Sequence, residues 1–274
     1  MSTDHPSTPA NGRHIALLID ADNVSHTKIG AIVAELSKYG TANIRRAYGD
    51  WASQGLKGWR DKLHAFAIRP VQQFSYSAGK NATDIAIVID AMELLYTQKL
   101  DGFAIASSDA DFTPLIMALK ANGQDVFGFG ERKTPEPFVN ACTTFLYLDS
   151  LVDPDAPAPA PARRPKATAA KPAQAEPTAL TEPERRPPLA QDAKLVTALR
   201  GGVEAAERDD GWAVLSTAGS RVKRQAPIDP RNYGVRNFPQ LFEAVGLFDI
   251  VKGADGNAYI ADKRNRERTA VPTV

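Results

Sequence analysis

Short apolar runs, one of them interrupted by Arg45 and Arg46, punctuate the first half of the chain. Each gives way to polar or acidic residues, then to apolar positions at helical spacing. The runs lie at 14–19, 42–48, 66–71, 103–106, 125–129 and 144–148. Runs this short, continuous rather than alternating, suit strands of a parallel sheet buried on both faces. Between them, Ile29, Ile32, Val33 and Leu36 predict one helix, and Leu56, Trp59, Leu63 and Phe66 a second with its tryptophan turned inward. Ile85, Val88, Ile89, Met92 and Leu95 mark a longer helix, with Asp84 at its start beside that apolar face. Leu115 to Leu119 continues a helix closed by Asn122-Gly123, and 135–141 is a short one. Pro114 is tolerated in a first helical turn, and Thr113 or Asp111 is placed to cap it. Strands alternating with helices from about residue 14 to 149 predict an α/β domain, a parallel sheet with helices on both faces.

The pattern breaks after Val152. Proline, alanine and arginine dominate to about Leu189, which predicts an extended, semi-rigid linker over 151–190. Residues 191–262 regain periodicity: Leu195, Leu199 and Val203 on a first helix, Trp212 through Val222 on a second, Asn237 to Val245 on a third. A hairpin follows, Phe248 to Val251 and Asn257 to Ile260, turning at Gly253 to Gly256. Three helices and a hairpin form a winged-helix pattern. The ends, 1–13 and the basic 263–274, read as disordered.

Composition narrows the chemistry. The 274 residues carry a net charge of +1, so any nucleic-acid surface must be local. The single cysteine, Cys142, excludes an internal disulfide framework and a cysteine-rich zinc site, and its apolar neighbours predict an inert core thiol. No apolar stretch approaches a membrane span, and 1–13 lacks the apolar core of a secretory signal, so a soluble, cytoplasmic protein without a membrane partner is expected. No glycine-rich loop ends in Lys-Ser or Lys-Thr, which argues against a P-loop ATPase.

What remains is carboxylate at strand ends. Asp20 closes the first run, and Asp109 and Asp111 follow the run 103–106 within one turn. α/β sheets bind ligands at this edge, and two acids in one tight turn repel unless a cation lies between them or one is protonated. Helix capping explains one acid of that turn but not both. Asp84, after the loop 75–81, is a further candidate. Asp90 lies about 120° round the helix from it and is read as an outlying acid or the partner of an internal base. Lys80 can pair with Asp84 or reach a substrate phosphate. Asn23 caps a helix or orients a group beside Asp20. In the second domain Arg221, Lys223, Arg224, Arg231, Asn232, Tyr233 and Arg236 cluster between the second and third helices, where nucleic acid would bind. The plainer alternative there is a solvated basic loop with Tyr233 packed on the core.

Four segments, Leu17 to Asn23, Tyr48 to Trp51, Lys80 to Asp84 and Ser107 to Leu115, resemble those of the NYN family, the LabA-like branch of PIN-like nucleases, in the family's order. Ala21 and Asn81 depart from the resemblance, since many members have Gly there. The second domain resembles an OST-HTH, or LOTUS, domain through Val214 to Ser216, Asp229 to Gly234 and Phe238 to Phe248. The first resemblance implies a metal-dependent ribonuclease using Mg²⁺ or Mn²⁺. Asp20, Asp84, Asp109 and Asp111 map to its acids, and Asn23 and Ser107 to supporting polar groups. The second implies a module for RNA, single-stranded by expectation, or for a protein partner. The leading expectation is an RNA-cleaving enzyme whose second domain recruits RNA, with Lys223, Arg224, Arg231, Tyr233 and Arg236 as contacts. The alternatives are a non-catalytic RNA-binding regulator and a protein-recruiting adaptor.

Overall fold

A computed structural model describes residues 12–74, 82–151, 189–265 and 268–272. The loop with Lys80 and Asn81, and residues 152–188 of the linker expected over 151–190, lie outside the described residues, while Leu151 is buried and Leu189–Gln191 form a 3-10 turn. The first domain is built on six parallel strands: β1 (His14–Asp20), β2 (Thr41–Gly49), β3 (Arg69–Gln72), β4 (Gly102–Ala106), β5 (Asp125–Gly130) and β6 (Thr144–Tyr147). Their order across the sheet is β3-β2-β1-β4-β5-β6. β1 and β4 are the central pair, with Ile19 opposite Ala106. The chain winds one way from β1 to β3 and the other way from β4 to β6, so the switch point lies between the carboxyl ends of β1 and β4.

Alternate residues of each strand feed two cores. Ile15, Leu17 and Ile19 pack with α1 (Ile29–Leu36) and α2 (Trp59–Ala65) on one face, around buried Trp59. Ala16 and Leu18 pack with α3 (Ala82–Thr97), α4 (Thr113–Ala121) and α5 (Glu136–Ala141) on the other. Cys142 is buried there and its thiol is pushed up to about 12 by burial, as expected of an inert core thiol.

The expected face of α3 is only partly the buried one: Val88, Met92 and Leu95 pack half-buried against the core, but the most buried positions lie to one side of it. Ile87, Ala91 and Leu94 are buried, whereas Ile85 and Ile89 stand 59% and 62% exposed. Apolar residues surround this helix almost completely, so periodicity alone could not choose a face. Asp90 pairs with Arg46 and accepts from the Tyr48 hydroxyl, the internal partnership expected of it.

The second domain packs α6 (Ala193–Glu204), α7 (Leu215–Gln225) and α8 (Phe238–Val245) around Leu199, Val222 and Phe242. Trp212 to Val214 is not the start of the second helix. Ala213 and Val214 form strand β7 (Ala213–Val214), which pairs antiparallel with β9 (Ala258–Asp262), and β9 pairs with β8 (Phe248–Lys252). Pairing with β9 and burial of Trp212 beside Tyr259 override the local helical pattern. Within the tail expected to be disordered, Arg268 pairs with Asp249 and stacks over Trp212, whose indole N–H donates to the Thr269 carbonyl.

The two domains meet at the outer edge of β6. Asn232 Nδ2 donates to the Phe145 carbonyl at 2.8 Å, and its Oδ1 accepts from the Tyr147 N–H at 3.1 Å. This carboxamide occupies the place that the peptide of a seventh strand would take. Beside it, the Arg231 guanidinium pairs with Glu35, on α1, and with Asp229. Burial pushes the Glu35 carboxyl up, but hydrogen bonds and charge from Arg231 and Lys38 outweigh this and hold it below its ordinary value.

Candidate active site

β1 ends in Asp20, only 1% exposed, and its carboxylate is wired on both sides. Asn23 Nδ2 donates to Oδ2 at 2.7 Å, and the Ser107 hydroxyl donates to the same oxygen at 3.0 Å. Burial nevertheless pushes the Asp20 carboxyl above its ordinary value, against these hydrogen bonds. Ser107, fully buried at the end of β4, also accepts from the Asp109 N–H at 3.2 Å. One hydroxyl thus fixes the Asp109 turn relative to Asp20, across the switch point. Asn23 and Ser107 sit as orienting groups for Asp20.

Asp109 itself caps the turn. Its Oδ1 accepts from the Asp111 N–H at 2.9 Å. The expected cap, Thr113 or Asp111, is displaced because a 3-10 turn (Ala110–Phe112) precedes α4 and moves the start of helical structure back to Asp109. Pro114 lies in the first turn of α4, as expected. Asp109 keeps a half-buried and Asp111 an exposed side chain.

Asp84, in the first turn of α3, joins these acids electrostatically. Its carboxyl is pushed up to about 6, first by burial and then by the negative charge of Asp20, Asp109, Asp111 and Asp22. Asp22 was not singled out from the sequence. Its Oδ2 accepts from the Thr83 hydroxyl at 3.0 Å, tying the β1 turn to the start of α3. The available signal was its spacing: Asp20 and Asp22 repeat the two-residue separation of Asp109 and Asp111. Gly49 lets β2 pass close to this turn, since a Cβ there would stand 2.7 Å from a Leu56 methyl and 3.0 Å from Asp22 Oδ1. Ala21 is buried in the core, so the methyl that departs from glycine does not face the acids.

The donor set is all oxygen. Asp20, Asp22, Asp84 and Asp109 make no ion pair among the described residues. That chemistry fits a hard divalent cation. Among the described residues, no three His, Cys, Asp or Glu side chains already converge on one ion, so the acids share a field without forming a ready ligand shell.

The basic cluster of the second domain divides. Arg231 and Asn232 turn toward the first domain. Tyr233 packs half-buried on the core, its hydroxyl pushed up to about 12, mainly by burial. Lys223, Arg224 and Arg236 remain exposed. Among the described residues no helix is long and apolar enough to cross a membrane.

A parallel sheet with acids at its switch point, joined to a small helical module, defines a PIN-like nuclease fold with an appended recognition domain. Residues 14–149 match the NYN domain and 188–260 the OST-HTH/LOTUS domain, so the chain carries these two domains in that order. NYN domains are typically nucleases, and PIN-like nuclease domains usually use divalent metals, while OST-HTH/LOTUS domains point to RNA binding. An uncharacterized protein of Methanocaldococcus jannaschii is 34% identical over 125 residues, 43% of this chain and 48% of that protein. The chain therefore spans about half the length of this curated relative. A crystal structure of a protein of unknown function from Vibrio parahaemolyticus is similar at a TM-score of 0.41 and 19% identity, covering 54% of this chain and 96% of that one.

The acid cluster makes a prediction independent of activity. A carboxyl with a raised folded-state value contributes stability at low pH that is lost as pH rises through that value. In EDTA, the protein should therefore lose this contribution between about pH 4 and pH 6, from the ordinary value of the Asp84 carboxyl at 3.8 up to its folded value of about 6. Asp84→Asn should flatten that limb of the melting-temperature profile. A profile with the same slope in both proteins would contradict the shared field.

Proposed function

We propose that the protein is a metal-dependent ribonuclease that hydrolyses phosphodiester bonds of single-stranded RNA, with the second domain recruiting the substrate. The observation that carries this reading is the convergence of charge on Asp84 from Asp20, Asp22, Asp109 and Asp111. Acids gathered close enough at a sheet switch point to raise one of their number are costly for a domain with only a structural role. Asp20, Asp84, Asp109 and Asp111 would hold Mg²⁺ or Mn²⁺. When bound, such an ion lowers the pKa of water and neutralises the scissile phosphate. Asn23 and Ser107 hold Asp20 in one orientation. Lys223, Arg224 and Arg236 supply exposed positive charge for the RNA backbone.

A second reading, a non-catalytic RNA-binding regulator, is favoured by the lack of a ready three-ligand set among the described residues. The test is incubation of the whole protein with labelled single-stranded RNA in Mn²⁺, Mg²⁺ or EDTA. Cleavage that appears with metal and disappears with EDTA supports the nuclease. Intact RNA bound under all three conditions overturns it in favour of the regulator.

A further inference from the structure

Where the second domain docks, it leaves a cleft of about 660 Å³ along the amino-terminal edge of β5 and β6. Both domains line it: Lys120, Asn140 and Thr143 from one side, Lys223, Arg224 and Gln225 from the other. Its one acid, Asp125, is paired with Arg13. Lys120, Lys223 and Arg224 are exposed and make no ion pair among the described residues, and Lys223 lies over the ring of Tyr39 of the first domain. A walled groove with three uncompensated cations and several polar side chains suits a chain of phosphates better than a protein surface. The groove exists because Asn232 and Arg231 hold the domains together.

Its position is the informative part. Asp125 pairs in register with Gly102, at the start of β4, whereas Asp109 follows the end of β4. At about 3.3 Å per residue along a strand and 4.8 Å between strands, the cleft and the acids are separated by roughly 15–20 Å. We propose that this interdomain cleft is a remote anchor for the phosphodiester backbone of single-stranded RNA, gripping a stretch of substrate away from the stretch placed at the acids. The proposal rests on the RNA-substrate reading above and adds a length requirement: only an RNA long enough to run from one edge of the sheet to the other uses both sites.

The test measures binding rather than cleavage. Full-length wild-type protein is titrated in Mn²⁺ with fluorescent, cleavage-resistant phosphorothioate single-stranded RNAs of about four and about sixteen nucleotides, over a range of salt. The long RNA should bind at least tenfold more tightly than the short one. Lys120→Ala/Lys223→Ala/Arg224→Ala should abolish this advantage and reduce the slope of log affinity against log salt by about 2, the loss of three single-strand phosphate contacts. Lys120→Glu alone should weaken binding of the long RNA, because the first domain supplies one wall. Unchanged affinity in Lys120→Glu, with loss only on the Lys223 and Arg224 side, overturns the composite cleft in favour of the second domain alone. No difference between the two lengths overturns the anchor outright. Wild-type protein that binds as expected but never cleaves unmodified RNA would sink the nuclease and leave the anchor standing.

Discussion

Asp109→Asn is expected to lower metal-dependent RNA cleavage roughly a hundredfold or more, the scale on which one positioned group acts, while the fold persists. The substitution keeps the side-chain oxygen that accepts from the Asp111 N–H, so the turn that opens α4 retains its cap. What it removes is one negative charge from the group that raises Asp84. Metal-free protein should therefore melt no lower, and Mn²⁺ should raise the melting temperature of the wild type but not of the variant. Asp20→Asn should behave likewise. Ser107→Ala should cost about 10- to 100-fold, as loss of an orienting partner does, because it removes the hydroxyl that ties Asp20 to the Asp109 turn. Asp90→Asn acts elsewhere, through Arg46 and Tyr48. It should lower stability more than turnover. Equal cleavage by wild type and Asp109→Asn would remove these acids from the reaction.

Arg231→Ala should cost about 3 kcal/mol of stability, the lower end for breaking a buried ion pair. Two carboxylates depend on this guanidinium. Glu35 is 5% exposed and its Oε1 already has no hydrogen-bond partner. Asp229 is nearly as buried. Without Arg231, Glu35 keeps only Lys38, whose side chain is 62% exposed. The pH dependence has a definite sign. A carboxyl held below its ordinary value contributes stability above about pH 4.5 that is lost as pH falls through the lowered value. Arg231→Ala should remove most of that acid limb. Calorimetry of wild type, Arg231→Ala, Glu35→Gln and the double variant checks this as a cycle. Additive losses would show that the pair does not couple the domains.

Most of the fold was legible because apolar runs and helical repeats report burial locally. All six strands of the first domain were found within a few residues, and the acids at the ends of β1 and β4 followed from where those strands stop. The errors share a cause. The face of α3 was set askew, with Val88, Met92 and Leu95 on the core but Ile85 and Ile89 outside it, because those two are as apolar as the buried Ile87. Trp212 to Val214 looked helical because its strand partner, β9, lies far along the chain. Asp22 passed unnoticed because its tie to Thr83 spans 61 positions. Arg231 and Asn232 looked like part of one basic patch because Glu35, the group that engages Arg231, is 196 residues distant. Local pattern carries no information about charges that meet only after folding.

The carboxamide of Asn232 has a practical corollary for work on fragments. Edge strands expose a row of unpaired donors and acceptors that can template pairing with another chain. In the whole protein Asn232 occupies the Phe145 carbonyl and the Tyr147 N–H. An isolated first domain would present both to solvent beside the half-buried ring of Tyr147, an adhesive margin that the intact chain covers. Self-association or low solubility of such a truncated domain would thus be an artefact of cutting, and its oligomeric state should not be ascribed to the native molecule.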